Sequence, residues 1–236
     1  MAEGLPEPVW EEVLDSMRRV AACYERANAV MSLGLSSRMR RALLEMVPIP
    51  PNARILDAGC GPGEMSVEVA RLLSPSSTLY LLDPLREMVE LARSRVAGLV
   101  RVVPLVGTFE DIPLDDGSVD VVLASYSLRD ARDRRRALSE FRRVLRVGGI
   151  LGVVEVTRPD GRAASAVAAL YVRLVAPGLA VLATGRVDCP WRCLYKTFRG
   201  MWTSSELVDE ISRLFRVIEV RKRALGVFTA VAAIKV

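Results

Sequence analysis

The sequence of 236 residues contains no histidine and no glutamine, and only three of its 33 basic residues are lysines. Without histidine, a zinc site would need closely spaced cysteines. The four cysteines do not have that spacing: they are Cys23, Cys60, Cys189 and Cys193. We therefore predict no metal ion and a reducing cytoplasm. The scarcity of thermolabile amides favours a thermophile, although a GC-rich genome would also raise the arginine content.

Long uninterrupted apolar runs are also missing. The longest candidate, residues 163–183, is interrupted by Arg173, Pro177 and Gly178. A membrane-spanning helix is therefore not predicted, because a span needs about 20 consecutive apolar residues. The acidic N-terminal residues do not resemble a signal peptide.

The charge pattern does not favour a nucleic-acid partner. The net charge is only +5, acidic residues are interleaved with basic ones, and aromatic residues make up 6% of the chain. Such a pattern usually indicates a solvated surface. One arginine cluster leaves an anionic contact open as an alternative: Arg132, Arg134, Arg135, Arg136, Arg142 and Arg143.

A glycine-rich turn is the most informative stretch of the chain. Residues 54–63 read RILDAGCGPG, in which a short apolar strand ends at Asp57 and is followed by Gly59, Gly61 and Gly63. A dinucleotide site needs Gly-x-Gly-x-x-Gly, and the place of its third glycine is taken here by Glu64. Asp57 would also repel a pyrophosphate but would suit a ligand with a cationic amino acid.

This turn resembles motif I of the class I S-adenosylmethionine (SAM) methyltransferases. Asp83 follows Gly63 by 20 residues, after a second apolar strand, at the place where a carboxylate accepts hydrogen bonds from a ribose diol. An NAD-type Rossmann turn and a purely structural glycine turn remain the alternatives.

The order of predicted elements indicates one α/β domain over residues 1–236. Strands near 54–58, 78–82, 101–106, 119–124 and 150–156 alternate with helices, which is typical of a parallel sheet. Pro84 is well placed to lie in the first turn of the helix after the second strand. After residue 183 we expect an irregular stretch and then a helix, at whose start Thr203 and Glu206 have the spacing of a capping box. Two closing strands near 215–222 and 226–235 are separated by only a few residues, so we expect them to form an antiparallel hairpin. We expect a Rossmann-like methyltransferase fold with a seven-stranded sheet. Its parts are an N-terminal helical cap (1–50), a SAM-binding core (51–160), a helical substrate-side insertion (161–202), and a C-terminal helix and hairpin (203–236).

Two further stretches resemble the C-methyltransferases of ubiquinone and menaquinone biosynthesis, which methylate a ring carbon of a prenylated quinol. Residues 24–34 are similar to that family's Tyr-Asp-x-x-Asn-x-x-Met-Ser-x-Gly, and residues 125–130 are similar to Ser-Phe-Gly-Leu-Arg-Asn. The resemblance spans about residues 20–230. It implies SAM as the cofactor, with contacts from Pro62, Asp83, Thr108, Phe109 and Ser125, while Asp57, Gly59, Gly61 and Gly63 belong to the generic fold.

For the chemistry, the resemblance points to Arg129, with Asp130 and Tyr24 beside it. A quinol carbon becomes nucleophilic when its ring hydroxyl ionises. Arginine does not normally accept a proton, but its charge can lower the pKa of a phenol. Asp130 would orient Arg129, and Tyr24 would contribute a polar contact from the cap. The alternatives are a surface salt bridge from Arg129 to Asp130 or Asp133, a packing role for Tyr24, and a purely structural role for Ser125 in its loop.

The substrate side is less well defined by the sequence. Residues 161–183 read as a helical pair broken at Pro177, which would be either an ordinary buried pair or an apolar wall for a prenyl tail with peripheral contact to the inner face of the membrane. A homodimer is left open. Other functions that fit the same pattern are O- or N-methylation of another small apolar molecule, and a SAM-binding accessory protein without turnover.

Overall fold

The computed structural model describes residues 4–21, 23–185 and 192–236, so that Cys189 lies outside the described residues. The helices are α1 Glu7–Val20, α2 Tyr24–Met31, α3 Leu35–Met46, α4 Glu64–Ala70, α5 Arg86–Arg95, α6 Arg134–Val144, α7 Arg162–Leu170, α8 Ala176–Thr184, α9 Arg192–Gly200 and α10 Ser204–Ser212. The strands are β1 Arg54–Ala58, β2 Thr78–Asp83, β3 Arg101–Val106, β4 Val119–Ser125, β5 Leu145–Val156, β6 Arg216–Arg223 and β7 Phe228–Ile234.

The strands of the described chain form one sheet in the order β3-β2-β1-β4-β5-β7-β6. The five strands from β3 to β5 are parallel, and β7 runs antiparallel to both β5 and β6. The strand order reverses between β1 and β4. A crevice opens at the carboxyl ends of the strands at such a point, which is where open α/β sheets bind ligands. The predicted fold class, including the antiparallel closing hairpin, is confirmed.

Both faces of the sheet are buried, which explains why its central strands are apolar nearly throughout. Successive residues of a strand point to opposite faces. Leu56 accordingly packs with Phe141 of α6 on one side, and Ile55 packs with Leu43 of α3 on the other. All four side chains are fully buried. The sheet is therefore a rigid support for the loops at its carboxyl edge.

The segment predicted as a helical pair broken at Pro177 is instead a continuous 23-residue helical run, Arg162–Thr184. A π turn, Tyr171–Val175, joins α7 to α8, and the backbone N–H of Ala176 donates to the carbonyl of Tyr171. In an α-helix, a proline ring clashes with the carbonyl one turn before it. A π turn at that place changes the positions of those carbonyls. Pro177 therefore lies in the first turn of α8 without ending the helix.

Two other expectations also need correction. The stretch before Thr203, expected to be irregular, contains α9, which is anchored by the buried side chain of Phe198. Pro84, expected in the first turn of its helix, precedes α5 by two residues, and Leu85 is the N-cap. Local sequence does not specify either detail, because helix limits depend on tertiary packing as well as on propensity. The capping box of Thr203 and Glu206 is present as expected.

Candidate active site

The glycine turn connects β1 to α4 and lines a pocket at the carboxyl edge of the sheet. Gly59 adopts a φ of +70°, and a Cβ atom there would lie 2.5 Å from the Cβ of Ser127 and 2.8 Å from the ring of Phe109. Its backbone N–H donates to the carbonyl of Leu82 on β2 at 2.8 Å. Only glycine satisfies this conformation and this spacing, so the turn is held close against its neighbours.

This first pocket contains about 770 Å³ of empty space, open solvent at its mouth included. Most of the predicted site residues line it: Tyr24, Gly59, Gly61, Pro62, Asp83, Phe109, Ser125 and Asp130. Asp83 accepts hydrogen bonds from the backbone N–H groups of Gly61 at 3.0 Å and Leu85 at 2.9 Å. Burial nevertheless raises the pKa of Asp83 to about 6. The carboxylate is thus fixed in place and keeps lone pairs for a ligand.

Three residues that the sequence placed in the cofactor site lie behind its wall. Asp57 is fully buried and accepts a hydrogen bond from the hydroxyl of Ser66 on α4. Gly63 caps α4 and faces Ala92 of α5, where a Cβ would be 2.9 Å from the backbone. The hydroxyl of Thr108 accepts from Arg132 at 3.5 Å. The carboxyl of Asp57 and the hydroxyl of Thr108 are therefore engaged by protein atoms outside the pocket lining.

The lining of the first pocket fits SAM better than a dinucleotide. Its ionisable groups include Glu64, Asp83 and Asp130, with Arg40 as the cationic side chain. Burial is the main cause that raises the pKa of Glu64. The Ser125 hydroxyl is buried and has no hydrogen-bond partner within the described chain. An acidic lining with an unused hydroxyl suits a ligand that carries cationic groups and hydroxyls, whereas a pyrophosphate would be repelled.

A buried ion cluster lies at the inner end of the first pocket. Arg129 stands on a 3-10 turn after β4, and its Nη1 donates to Oε1 of Glu155 at 2.9 Å. The backbone N–H of Arg129 donates to the other oxygen of Glu155 at 3.1 Å, and its Nε lies 3.5 Å from Oδ1 of Asp130. A salt bridge from Arg129 to Asp130 or Asp133 was the alternative to a catalytic role. The contact with Asp130 is present, but the closest carboxylate partner of Arg129 is Glu155.

The pKa values of this cluster follow from burial and mutual charge. Although burial opposes its charge, the carboxylates of Asp130 and Glu155 raise the pKa of Arg129 above its ordinary value. Burial raises the pKa of Asp130 to about 6, which Arg129 only partly offsets. Burial likewise raises the pKa of Tyr24. At neutral pH the cluster therefore holds a charged Arg129, a neutral Tyr24 and an Asp130 that is mainly ionised.

A second and larger cavity, with about 1720 Å³ of empty space, adjoins the first. Its walls come mainly from α2, from the helical run Arg162–Thr184 and from the turn between β6 and β7, and they are largely apolar. Tyr24 and Tyr126 line both cavities, Asp130 lines the first, and Arg129 lines the second. The ion cluster therefore stands where a ligand in one cavity meets a ligand in the other.

Two residues of this junction are not among the site residues predicted from the sequence. Glu155 is the one acidic residue of strand β5 and is flanked by apolar residues, and such an isolated carboxylate is a signal that could have identified it. Tyr126 has a φ of +58°, and its hydroxyl donates to the carbonyl of Ser36 at 2.9 Å. A left-handed conformation at a non-glycine residue is costly and is often found at functional sites. No sequence pattern predicts it.

The N-terminal helices divide their contacts between the two cavities. Trp10, Val13 and Met17 of α1 line the first pocket, whereas α2 lines mainly the second and reaches the first only through Tyr24. The N-terminal cap therefore covers the substrate side through α2 and not through α1. The arginine cluster that left an anionic contact open is mostly engaged with the protein itself; for example, Arg135 pairs with Glu210 and Arg143 with Glu140.

Comparison with known proteins agrees with this architecture. The model of the ubiE/COQ5 methyltransferase family matches residues 8–234. A ubiquinone/menaquinone biosynthesis C-methyltransferase UbiE of Geotalea daltonii is 32% identical over 152 residues, covering 63% of this chain and 65% of that protein. The match thus spans just under two thirds of that relative's length. The UbiE protein of Campylobacter jejuni is 25% identical over 92% of this chain and 94% of its own.

Among solved structures, a SAM-dependent methyltransferase of Thermotoga maritima, described as a possible histamine N-methyltransferase, superposes with a TM-score of 0.66. It is 23% identical and covers 97% of this chain and all of its own. That likeness shows a shared fold. Since the family model covers nearly all of the chain, this protein belongs to the ubiE/COQ5 methyltransferase family.

Proposed function

We propose that this protein is a SAM-dependent methyltransferase that methylates a ring carbon of a prenylated quinol of the demethylmenaquinol type. The observation that carries the proposal is the meeting of two unlike cavities at Tyr24 and Tyr126. The acidic pocket beside the glycine turn suits SAM, and the large apolar cavity suits a prenylated ring. Relatives named for quinone biosynthesis support the choice of substrate.

Bound SAM would supply a methyl group on a sulfonium centre, which a carbon nucleophile accepts by in-line displacement. The backbone at Gly59 and Gly61, the carboxylate of Asp83 and the hydroxyl of Ser125 would hold it. The ring of Phe109, packed edge-on against Phe141 with centroids 5.9 Å apart, provides an apolar wall. These groups are fixed before the ligand binds, which lowers the entropic cost of alignment.

The chain must also take up a proton from the ring hydroxyl of the quinol. Arg129 is a poor source of net positive charge, because Glu155 neutralises it at 2.9 Å. Asp130 is the better proton acceptor. Its pKa of about 6 leaves the carboxylate mainly ionised at neutral pH, and this value is closer to the pKa of the quinol hydroxyl than the pKa of an ordinary aspartate is. Arg129 then acts as a positioning residue that holds Asp130 at the junction.

Transfer of label from SAM to a reduced, short-tailed demethylmenaquinol tests the proposal. Asp130→Asn removes the proton acceptor, and we expect roughly a hundred-fold loss of kcat with SAM binding retained. Asp133→Asn is the matched control, because Asp133 caps α6 by accepting from the N–H of Arg136 and lines neither cavity. Its activity should match the unchanged protein.

Other outcomes of this assay would redirect the proposal. Label on an oxygen or nitrogen atom instead of a ring carbon would contradict C-methylation and support the alternative methyltransferase activity. SAM binding without transfer to any quinol would favour an accessory role. We include a cytoplasmic location with peripheral contact to the membrane in the proposal, because a prenylated quinol resides in the bilayer. A homodimer stays a prediction.

A further inference from the structure

The helical run Arg162–Thr184 exposes an apolar face. Val167, Leu170, Leu174 and Leu182 follow one another at helical spacing and are 58–81% exposed. On the opposite side, Val172, Ala176 and Ala180 are buried, and α8 packs on α2. A surface helix normally presents polar side chains to water. This run is therefore apolar on its outer side as well as on its buried side. Contiguous apolar exposure of this kind marks an interaction surface.

This face adjoins the large cavity, because Val167 is exposed on it and also lines the cavity. Leu33 and Leu225 line that cavity and are also 71% and 82% exposed. Both residues have positive φ values, 52° and 56°. The left-handed region costs an L-residue about 1–2 kcal/mol, and leucine has no local hydrogen bond to offset this cost. Two leucines held at loop tips in this conformation are poorly explained by folding alone, whereas a partner that buries them would offset the cost.

The charges around this face are mainly basic. The segments that surround the cavity rim contain no aspartate or glutamate: they are residues 26–44, 161–185, 192–205 and 220–236. Several exposed arginines on them form no ion pair with a carboxylate of the described chain: they include Arg38, Arg162, Arg173, Arg199 and Arg223. A basic, apolar surface is suited to an anionic lipid interface, where each nearby basic residue adds to the attraction.

We propose that the outer face formed by Leu33, Leu170, Leu174, Leu182 and Leu225 docks on a lipid bilayer that contains anionic headgroups, with the mouth of the large cavity against it. This inference rests on the proposed function, because it gives a prenylated substrate a route from the bilayer to Arg129 and Asp130. The inner side of the helix is fixed to the protein, for example by the hydroxyl of Tyr171, which donates to the carbonyl of Met31 at 2.8 Å. The helix therefore lies along the surface of the bilayer instead of crossing it.

A second copy of the chain is a poorer occupant of this face. A two-fold interface places the same patch of both copies together. The unpaired arginines around the patch would then approach one another, and like charges across an interface are costly. Such a dimer would also close the mouth of the cavity.

Flotation with liposomes tests the inference. The protein of 236 residues is mixed with vesicles of phosphatidylcholine alone or with added phosphatidylglycerol. We expect binding to the anionic vesicles that weakens as salt is raised. The triple variant Leu170→Gln, Leu174→Gln, Leu182→Gln should bind them about a hundred-fold more weakly, because three leucines no longer enter the interface. None of the three lines a cavity.

The matched control replaces three other exposed apolar residues, Leu72, Val147 and Ile218, with glutamine. Its binding to vesicles should equal that of the unchanged protein. Equal loss in both triple variants, or no vesicle binding by the unchanged protein, would overturn the inference. So would a concentration-dependent dimer in sedimentation that the first triple variant abolishes.

A solution assay separates this inference from the proposed function. Both triple variants should methylate a quinol with a single prenyl unit at the unchanged rate, since the cavities are intact. Turnover without vesicle binding would refute the docking surface and leave the function standing. Vesicle binding that depends on the three leucines, without turnover of any quinol, would refute the function and leave the surface standing.

Discussion

The buried carboxyl of Asp57 provides a sharp test of the electrostatics of this fold. Its Oδ2 accepts a hydrogen bond from Ser66, and its Oδ1 is buried without a hydrogen-bond partner in the described chain. Burial raises the pKa of this group to about 7, an effect that the hydrogen bond from Ser66 only partly offsets. The folded state therefore binds this proton more tightly than the unfolded state, in which an ordinary aspartate has a pKa near 3.9.

The sign and size of the effect on stability follow from this difference. A raised pKa contributes stability at low pH, and this contribution is lost as the pH rises through the folded-state value. Between pH 5 and pH 8 the loss from Asp57 alone amounts to about 2.5 kcal/mol. For a domain of this length, that corresponds to a fall of roughly 5–10 °C in Tm.

The perturbation is Asp57→Asn, measured by denaturant unfolding at pH 5 and pH 8 without ligand. The amide oxygen can still accept from Ser66, and the amide N–H groups add a cost that does not depend on pH. We expect the free energy of unfolding of the variant, relative to the unchanged protein, to rise by about 2.5 kcal/mol between pH 5 and pH 8. The comparison cancels the titration of all other groups.

Asp120→Asn is the control for this experiment. Although burial opposes it, the backbone N–H of Arg54 and the side chain of Arg146 lower the pKa of Asp120. It is therefore ionised in both states from pH 5 upward, and its replacement should change stability equally at the two pH values. If Asp57→Asn also behaved in this way, within about 0.5 kcal/mol, the reasoning about its burial would be refuted.

Two further predictions concern the two sides of the proposed reaction centre. The rate of methyl transfer should rise with pH through about 6, because the proton-accepting form of Asp130 exists above its raised pKa; a profile without an inflection between pH 5 and pH 7 would contradict its role. Gly59→Ala should abolish SAM binding in equilibrium dialysis while the circular dichroism spectrum is retained, since its Cβ would lie 2.5 Å from that of Ser127. Gly61→Ala, which has no other atom within 4 Å of its Cβ, should bind SAM more strongly than Gly59→Ala, and equal loss would show that the crowding at Gly59 is not the cause.

Much of the fold was predictable because it depends on local signals. The strand at 54–58, the left-handed turn that follows it and the capping box at Thr203 each occupy a few consecutive residues. The closing hairpin followed from the short separation of two apolar runs. The helix at Pro177 was not predictable, because its continuity depends on a π turn and on packing against α2, and neither is encoded in the proline itself.

The candidate site was predictable to a smaller extent. Of the residues that sequence motifs assigned to the site, Tyr24, Asp83 and Ser125 line the first pocket. They also pointed to Asp57, whose side chain turns towards α4. A motif identifies which residue follows a strand, but not which way its side chain rotates, because that choice depends on neighbours that are distant in sequence.

The sequence by itself determined the order of helices and strands, the glycine turn and the likeness to one family, because these features depend on residues close together in the chain. Only the tertiary structure decided that Glu155 neutralises Arg129, that two unlike cavities meet beside Asp130, and that the leucines of the helix Arg162–Thr184 face outward. Each of these depends on segments between 26 and 140 positions apart, such as Arg129 with Glu155 and Tyr171 with Met31. Charge compensation and burial depend on distance in space, and the linear order of the residues does not specify that distance.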